Sequence, residues 1–439
     1  MLYERFVLQS ALWKKPAADF RLSADAPQAT LLALGDIALT RRTNFDFRNT
    51  FGPIADRLES CDLATGNLEA ALTRRTAPAG SIGSFIRADP DAVRVLVDGH
   101  FDVVNLANNH ALDFGTGALA DTAELLRDSG IGACGVRRDG AAAQLVIRTT
   151  NGLRVGFLGA CDDHFVPLRS GDEPDFQVES DLDLPALIAA ARPQVDFLVV
   201  QLHWGYEFSL HPLLEHRERA RKLAEMGVDL IVCHHAHVPQ GIEVWRGAVI
   251  AYGLGNAIMP LSPYMRAGHW WSDRSFALEV DFGRRGTSAV RLVPYGLAQD
   301  GSIISLSARD SHNLLAGIGT TSRRIADEAF LARLSRTRTA FEFVGLVGAF
   351  RAAAQASDRS LAERARTLTL ARQSRLLASA RHFEGFARAV DGLRRVAAVS
   401  NEPTAARAEH EAISASLETI LARPPREYRW QDAVRSRVP

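Results

Sequence analysis

The sequence predicts an α/β protein with a mixed sheet and a helical C-terminal appendage. Three observations carry this reading. Short apolar runs alternate with helix-like stretches from about Ala29 to Tyr295, the pattern of strands interleaved with helices. Two late runs alternate polar and apolar residues, as antiparallel strands do. Beyond about Ser307 the chain becomes rich in Ala, Leu and Arg, with apolar residues at helical spacing such as Phe383, Phe386, Val390, Leu393 and Val396.

Taken in order, strands are expected at Thr30–Leu34, Leu63–Thr65, Val103–Leu106, Arg154–Leu158, Phe197–Leu202, Leu230–Cys233 and Val249–Tyr252. Each is a short apolar run bounded by Gly, Asn or Asp. The alternating runs Ser275–Asp281 and Ala289–Val293 follow. Helices are expected between them at Pro53–Glu59, Pro90–Asp98, Gly117–Asp128, Leu184–Ala191 and Leu213–Met226. In the appendage, helical periodicity covers Arg323–Arg338, Phe341–Ala356, Arg359–Ala380, Phe383–Val399 and Thr404–Ala422, and Pro424–Pro425 ends the last. The domains read as an extension at 1–28, an α/β domain at 29–306 and a helical region at 307–439.

Composition bounds the function. With 439 residues, 47% hydrophobic and 23% charged, the chain folds and is not disordered throughout. Its formal charge is zero, but residues 307–439 hold 22 Arg against 14 Asp+Glu, about +8, so residues 1–306 carry about −8. Nucleic acid is not an expected partner; the basic helical tail suits either a protein partner or packing against the acidic domain. Cys61, Cys134, Cys161 and Cys233 are widely spaced in apolar or Gly-rich contexts, as buried thiols of a reducing compartment are. The N-terminus lacks a continuous apolar stretch of signal-peptide type, and no run reaches transmembrane length. A cytoplasmic protein without a transmembrane segment is expected. The phosphate-loop pattern G-x-x-x-x-G-K and the nucleophile elbow G-x-S-x-G are both absent, which excludes nucleotide-driven motors and serine hydrolases of those types.

Polar, metal-capable residues fall repeatedly at the ends of the apolar runs. TLLALGD ends in Asp36; DLATGNLE delivers Asn67 and Glu69; FDVVNLANNHALDFG delivers Asn108, Asn109, His110 and Asp113. DFLVVQLHWGYEF ends in His203, with Glu207 four residues on. VDLIVCHHAHVPQ carries His234, His235 and His237, and VIAYGLGN ends in Asn256. Ligands of open α/β sheets bind at the carboxyl ends of the strands, so these residues converge on one edge. Carboxylates, an amide oxygen and imidazoles together suit divalent Zn, Mn or Fe. In an extended segment His235 and His237 face the same way. Asp162, Asp163 and His164 follow another apolar run, where a polar loop with a helix cap is the favoured reading over a site contact; His269, Trp270 and Trp271 form an aromatic stretch that suits a lid or partner surface and a packed loop equally.

The ordered set LALGD, GNLE, VVNLANNHALDFG, QLHWGYEF, HHAHVPQGIEV and AYGLGN resembles the capsule-synthesis CapA family, a branch of the calcineurin-like metallophosphoesterases. The resemblance implies a four-layer α/β/β/α sandwich with one or two divalent ions at the sheet edge. It implies Asp36, Glu69, Asn109, His203, His235 and His237 as ligands, with Glu69 the bridge. His110 resembles a histidine that contacts a substrate oxygen or protonates a leaving group, and Asp113 would hold its ring. Arg42 is an anion-clamp candidate, and Asn67, Asn108, His234, Asn256 and Glu207 are candidate substrate contacts. The resemblance departs at Ala38, where the wider superfamily places a histidine ligand. The implied activity is a metal-activated water attacking a phosphoester or related anionic substrate. The alternatives are action on a γ-glutamyl polymer in capsule synthesis and a non-catalytic assembly subunit.

Overall fold

The computed structural model describes residues 18–40, 46–79, 85–138, 145–162, 176–178, 183–261, 265 and 271–335. Two compact units meet in sequence between Ala332 and Arg333. The helical segments expected from Phe341 onward lie outside the described residues, as do Arg42, Asp163, His164, His269 and Trp270.

Among the described residues the first unit holds two large mixed sheets. The first has nine strands. Its strands Ala29–Ile37, Leu63–Leu68, Val103–Asn105 and, at the edge, Gly132–Cys134 run parallel. The antiparallel strands Arg274–Gly283, Gly286–Leu297 and Ala18–Arg21 extend the other side. Asn256–Ile258 adds a short parallel strand at the end of Ala29–Ile37. The second sheet has six strands, with Leu153–Cys161, Phe197–His203, Leu230–His234 and Ala248–Ala251 parallel. Val146–Thr150 and Ile242–Trp245 are its antiparallel edges.

Period-two alternation explains the stacking. Leu31, Ala33, Val103 and Phe276 of the first sheet pack with Phe157, Phe197, Val199 and Val232 of the second in one inter-sheet core. Their sequence neighbours Leu32, Leu34 and Val104 face outward, against Phe51, Ile54, Leu96 and Leu126 of one set of helices. On the far side Leu198, Val200 and Leu202 face Leu184, Ile188, Ala220 and Leu223 of the Leu184–Ala191 and Leu214–Glu225 helices. The layer order is α/β/β/α, as expected. Strands buried on both faces read as near-continuous apolar runs, which is how the sequence displays them.

The helix Ala308–Ile325 starts where the sequence reading placed no helix, and it ends where one was expected to be under way. Ser307 caps it by accepting the Asp310 N–H at 3.0 Å. Leu314, Leu315 and Ile318 join the inter-sheet core, so the first helix after Ser307 belongs to the sandwich. Gly317 and Gly319 weaken its helical signature in sequence. At Gly317 the space is taken: a Cβ there would lie 2.0 Å from the Trp271 ring.

His211, in the connection between Phe197–His203 and Leu214–Glu225, lines a small cavity with Trp204, His216 and Gln240. Its Nε2 is buried with no hydrogen-bond partner among the described residues. Burial, and then the Arg324 charge, lower its pKa from the ordinary 6.5 to about 3. The folded state therefore holds His211 neutral while the unfolded chain protonates it near 6.5. Its contribution to stability is complete above pH 6.5 and is lost as pH falls toward 3. His211→Phe is expected to remove that slope, up to about 2 kcal/mol between pH 7.5 and 5. Urea midpoints at the two pH values check it; an unchanged difference would refute the assignment.

Candidate metal centre

The parallel registers bring the predicted residues into line. In the first sheet Asp36 pairs with Asn67, Asn67 with Asn105, and Asn256 with Asp36. In the second sheet Cys161, His203 and His234 stand side by side. Two glycines make the approach possible. A Cβ on Gly35 would sit 1.8 Å from the Gly255 carbonyl oxygen, and Gly255 adopts φ 81°. The Asp36 N–H donates to that same carbonyl at 3.0 Å.

Asp36, Glu69 and His203 are fully buried, and His235 and His237 nearly so. Asp36, Glu69 and His237 offer donor atoms within 4.8 Å of one another, and so do Glu69, His203 and His235. Glu69 is common to both groups, in the place a bridging ligand would take. Asn109 Oδ1 lies 2.7 Å from His203 Nε2 and joins the second group. Of the six expected ligands, all six fall in this cluster.

The geometry at the histidines differs from the expected extended segment. The strand ends at His234, and His235 and His237 take left-handed φ values of 83° and 54°. Non-glycine residues adopt that conformation at a cost, a form of strain that concentrates at functional sites. It turns the two imidazoles inward toward the two donor groups. The His235 N–H donates to Asp36 Oδ2 at 3.1 Å. His237 Nδ1 lies 2.9 Å from Asn256 Oδ1, which leaves Nε2, 4.0 Å from Glu69 Oε1, facing the carboxylate.

Electrostatically the cluster favours positive charge at its middle. Burial opposes an ionised Asp36, but hydrogen bonds from His234 and His237 and their charges hold its carboxyl well below the usual range. Burial, then the neighbouring Asp36, pushes Glu69 up to about 8. Burial opposes a proton on His237, yet Glu69 and Asp36 raise it to about 10. Burial lowers His203 well below its ordinary value. Neither Glu69 oxygen accepts a hydrogen bond among the described residues, although the side chain is wholly buried. Buried carboxylates are ordinarily paired or bound to a metal. The donor set of carboxylate, amide oxygen and imidazole, with this orphaned carboxylate at its centre, fits divalent transition ions.

His110 lies beside the cluster. Its Nδ1 is 2.8 Å from Asp113 Oδ2, and the Ile86 N–H holds the same oxygen at 2.7 Å. Burial opposes its protonation, but the Asp113 hydrogen bond and the Glu69 charge raise its pKa. The ring is fixed through Nδ1, and Nε2 remains for a ligand.

Four expected substrate contacts sit lower, as supports. Asn67 Nδ2 donates to Asp36 Oδ1 at 2.9 Å and lies 3.2 Å from His203 Nδ1. Asn108 Nδ2 donates to the Leu68 carbonyl at 2.9 Å, and its Oδ1 accepts the His110 N–H. His234 lies between Asp36 Oδ1 at 3.4 Å and Gln201 Oε1 at 3.3 Å. Asn256 Nδ2 donates to the Ser272 carbonyl at 3.0 Å. All four are buried with polar groups turned to the protein. Glu207 is exposed at the rim, with a donor atom within 4.8 Å of His235 and His237 donors.

Two buried amides extend this scaffold and escaped the sequence reading. Asn105 Nδ2 donates to Asn67 Oδ1 and to the Ala107 carbonyl, both at 2.9 Å. Gln201 Nε2 donates to Thr65 Oγ1 at 2.9 Å, across the two sheets. Their available signal was a lone amide inside a continuous apolar run.

A family model described as bacterial capsule synthesis protein PGA_cap matches residues 30–261. The PGA biosynthesis protein CapA of Bacillus subtilis is 29% identical over 53% of this chain and 61% of its own length. The capsule biosynthesis protein CapA of Bacillus anthracis is 26% identical over 62% of this chain and 68% of its own. The chain thus spans roughly two thirds or less of these relatives. Among solved structures, a 5'-nucleotidase precursor from Thermus thermophilus aligns with TM-score 0.41 and 15% identity over 66% of this chain and 58% of that one. No helix among the described residues is long and apolar enough to cross a membrane.

Proposed function

This chain belongs to the bacterial capsule synthesis protein PGA_cap family, and on that premise we propose that its sheet-edge cluster is a divalent-metal centre for hydrolysis. The observation that supports it most is Glu69, buried, without a hydrogen bond among the described residues, and shared by two three-residue donor groups. Asp36, Glu69 and His237 would hold one ion, and Glu69, Asn109, His203 and His235 the other. Ions of the Mn, Fe or Zn type would polarise a substrate oxygen and lower the pKa of water.

The chain's own residues have separate tasks. Asn67 and Asn256 orient Asp36, His203 and His237, as supports beneath metal ligands do. Asp113 fixes the His110 ring so that Nε2 meets a substrate oxygen and can deliver a proton to a leaving group. The expected substrate is an anionic phosphoester or a related electrophile.

The relatives' names, PGA and capsule biosynthesis proteins, favour a second reading, in which the same site handles the γ-glutamyl polymer that the family resemblance implies. Metal analysis of purified protein with phosphoester and γ-glutamyl panels separates the two. Bound metal with phosphoester turnover supports the first reading, and γ-glutamyl turnover the second. Bound metal with neither activity returns the assembly-subunit alternative. A folded chain that binds no divalent ion refutes the metal centre.

A further inference from the structure

The two donor groups are unequal. Glu69, His203 and His235 are joined by Asn109, giving four protein donors, the usual tetrahedral number. Asp36, Glu69 and His237 are three, and two residues beyond Asp36 the buried Ala38 offers none. The next donor available to His237 is Glu207. Glu207 forms a third such group with His237 and His235, its donor atom within 4.8 Å of a donor on each.

The position of Glu207 is built into its loop. Gly205 at φ 91° and Phe208 at φ 57° turn the chain sharply after the Phe197–His203 strand. The Phe208 N–H donates to the Ala236 carbonyl at 2.8 Å, between His235 and His237. Gln240 Nε2 donates to the Ser209 carbonyl at 2.6 Å, and the Phe208 ring stands 6.0 Å from the His237 ring. The Glu207 loop and the histidine turn are therefore fastened to each other by backbone and side-chain bonds. The hydrogen-bond-free Glu69 carboxylate beneath them independently marks a cation position.

We propose that Glu207 is the fourth protein donor of the Asp36, Glu69 and His237 cation position, closing it from the solvent side, rather than a substrate contact. This rests on the metal-centre reading above. An exposed carboxylate in that place binds more loosely than the buried donors, so this ion is the more weakly held and exchangeable of the two.

Manganese titration of the full chain tests it, by calorimetry and by electron paramagnetic resonance. The wild type is expected to bind two Mn2+ per chain with a spin-coupled pair signal. Glu207→Gln is expected to bind the second ion at least about 10-fold more weakly, the lower end of the loss seen even for outer-shell partners, and to show an isolated-ion signal. Glu207→Asp should restore part of the affinity, which a loop-fixing role would not require. Because Glu207 is exposed, unfolding temperatures of the metal-free variants should match the wild type. Two ions bound by Glu207→Gln with wild-type affinity and coupling overturn the Glu207 assignment alone. A wild type that binds no Mn2+ overturns the metal centre itself, and this assignment with it.

Discussion

Glu69→Gln is expected to raise the thermal stability of the metal-free protein while abolishing its stabilisation by divalent ions. The two effects share one cause. Glu69 is fully buried, neither oxygen accepts a hydrogen bond among the described residues, and Asp36 lies within donor reach. Without an ion that carboxylate is a desolvated group costing about 1–3 kcal/mol, more if charged. Gln keeps the shape and removes the acid. At about 2 °C per kcal/mol for a unit larger than about 250 residues, the metal-free variant should melt a few degrees higher. The wild type should gain about 2.7 kcal/mol when an ion is present at a hundred times its dissociation constant. The variant should gain little, because both donor groups lose their shared member. Turnover on any substrate found should fall by at least about 10²–10³, the scale for removing a group that stabilises transition-state charge. Melting curves with EDTA and with Mn2+ decide it. A metal-free variant less stable than the wild type, or a variant still stabilised by Mn2+, would show that Glu69 serves the core.

Much of this cluster was legible because parallel strands display it in sequence: an apolar run, then a metal-capable residue at its carboxyl end. Asp36, His203 and the histidine cluster were readable that way. What sequence could not show was which of those residues face a ligand and which face the protein. Asn67, Asn108, His234 and Asn256 have the same composition signal as the proposed ligands, but the register points their polar groups at Asp36, His203, His110, Gln201 and backbone carbonyls. Asn105 and Gln201 were missed because one amide in an apolar strand is equally consistent with an exposed face. Only two-sided burial makes it a cross-link. His235 and His237 were paired for the wrong reason. Two-residue alternation predicted their common direction, and a left-handed turn supplies it. The Ala308–Ile325 helix was hidden by glycines, one of which is kept small by Trp271, forty-six residues earlier in the chain.

His110→Ala should leave metal binding intact and remove most of the activity. His110 belongs to neither donor group, so the ions should be retained at wild-type stoichiometry and affinity. Its ring is held at Nδ1 by Asp113, and Asp113 is itself held by the Ile86 N–H. That chain of contacts fixes the tautomer and direction of the ring, leaving Nε2 as the nitrogen that meets substrate. Loss of a positioned proton donor costs about 10²–10⁴ in kcat. Asp113→Asn keeps a hydrogen-bond acceptor but loses the charge that supports the imidazolium, so a smaller loss of about 10–100-fold is expected. The double variant should be no worse than His110→Ala, since Asp113 acts through His110. Metal content and kcat measured on the same preparations are the test. Losses that multiply in the double variant would give Asp113 a task of its own, and loss of metal in His110→Ala would make the histidine a ligand instead of a proton donor.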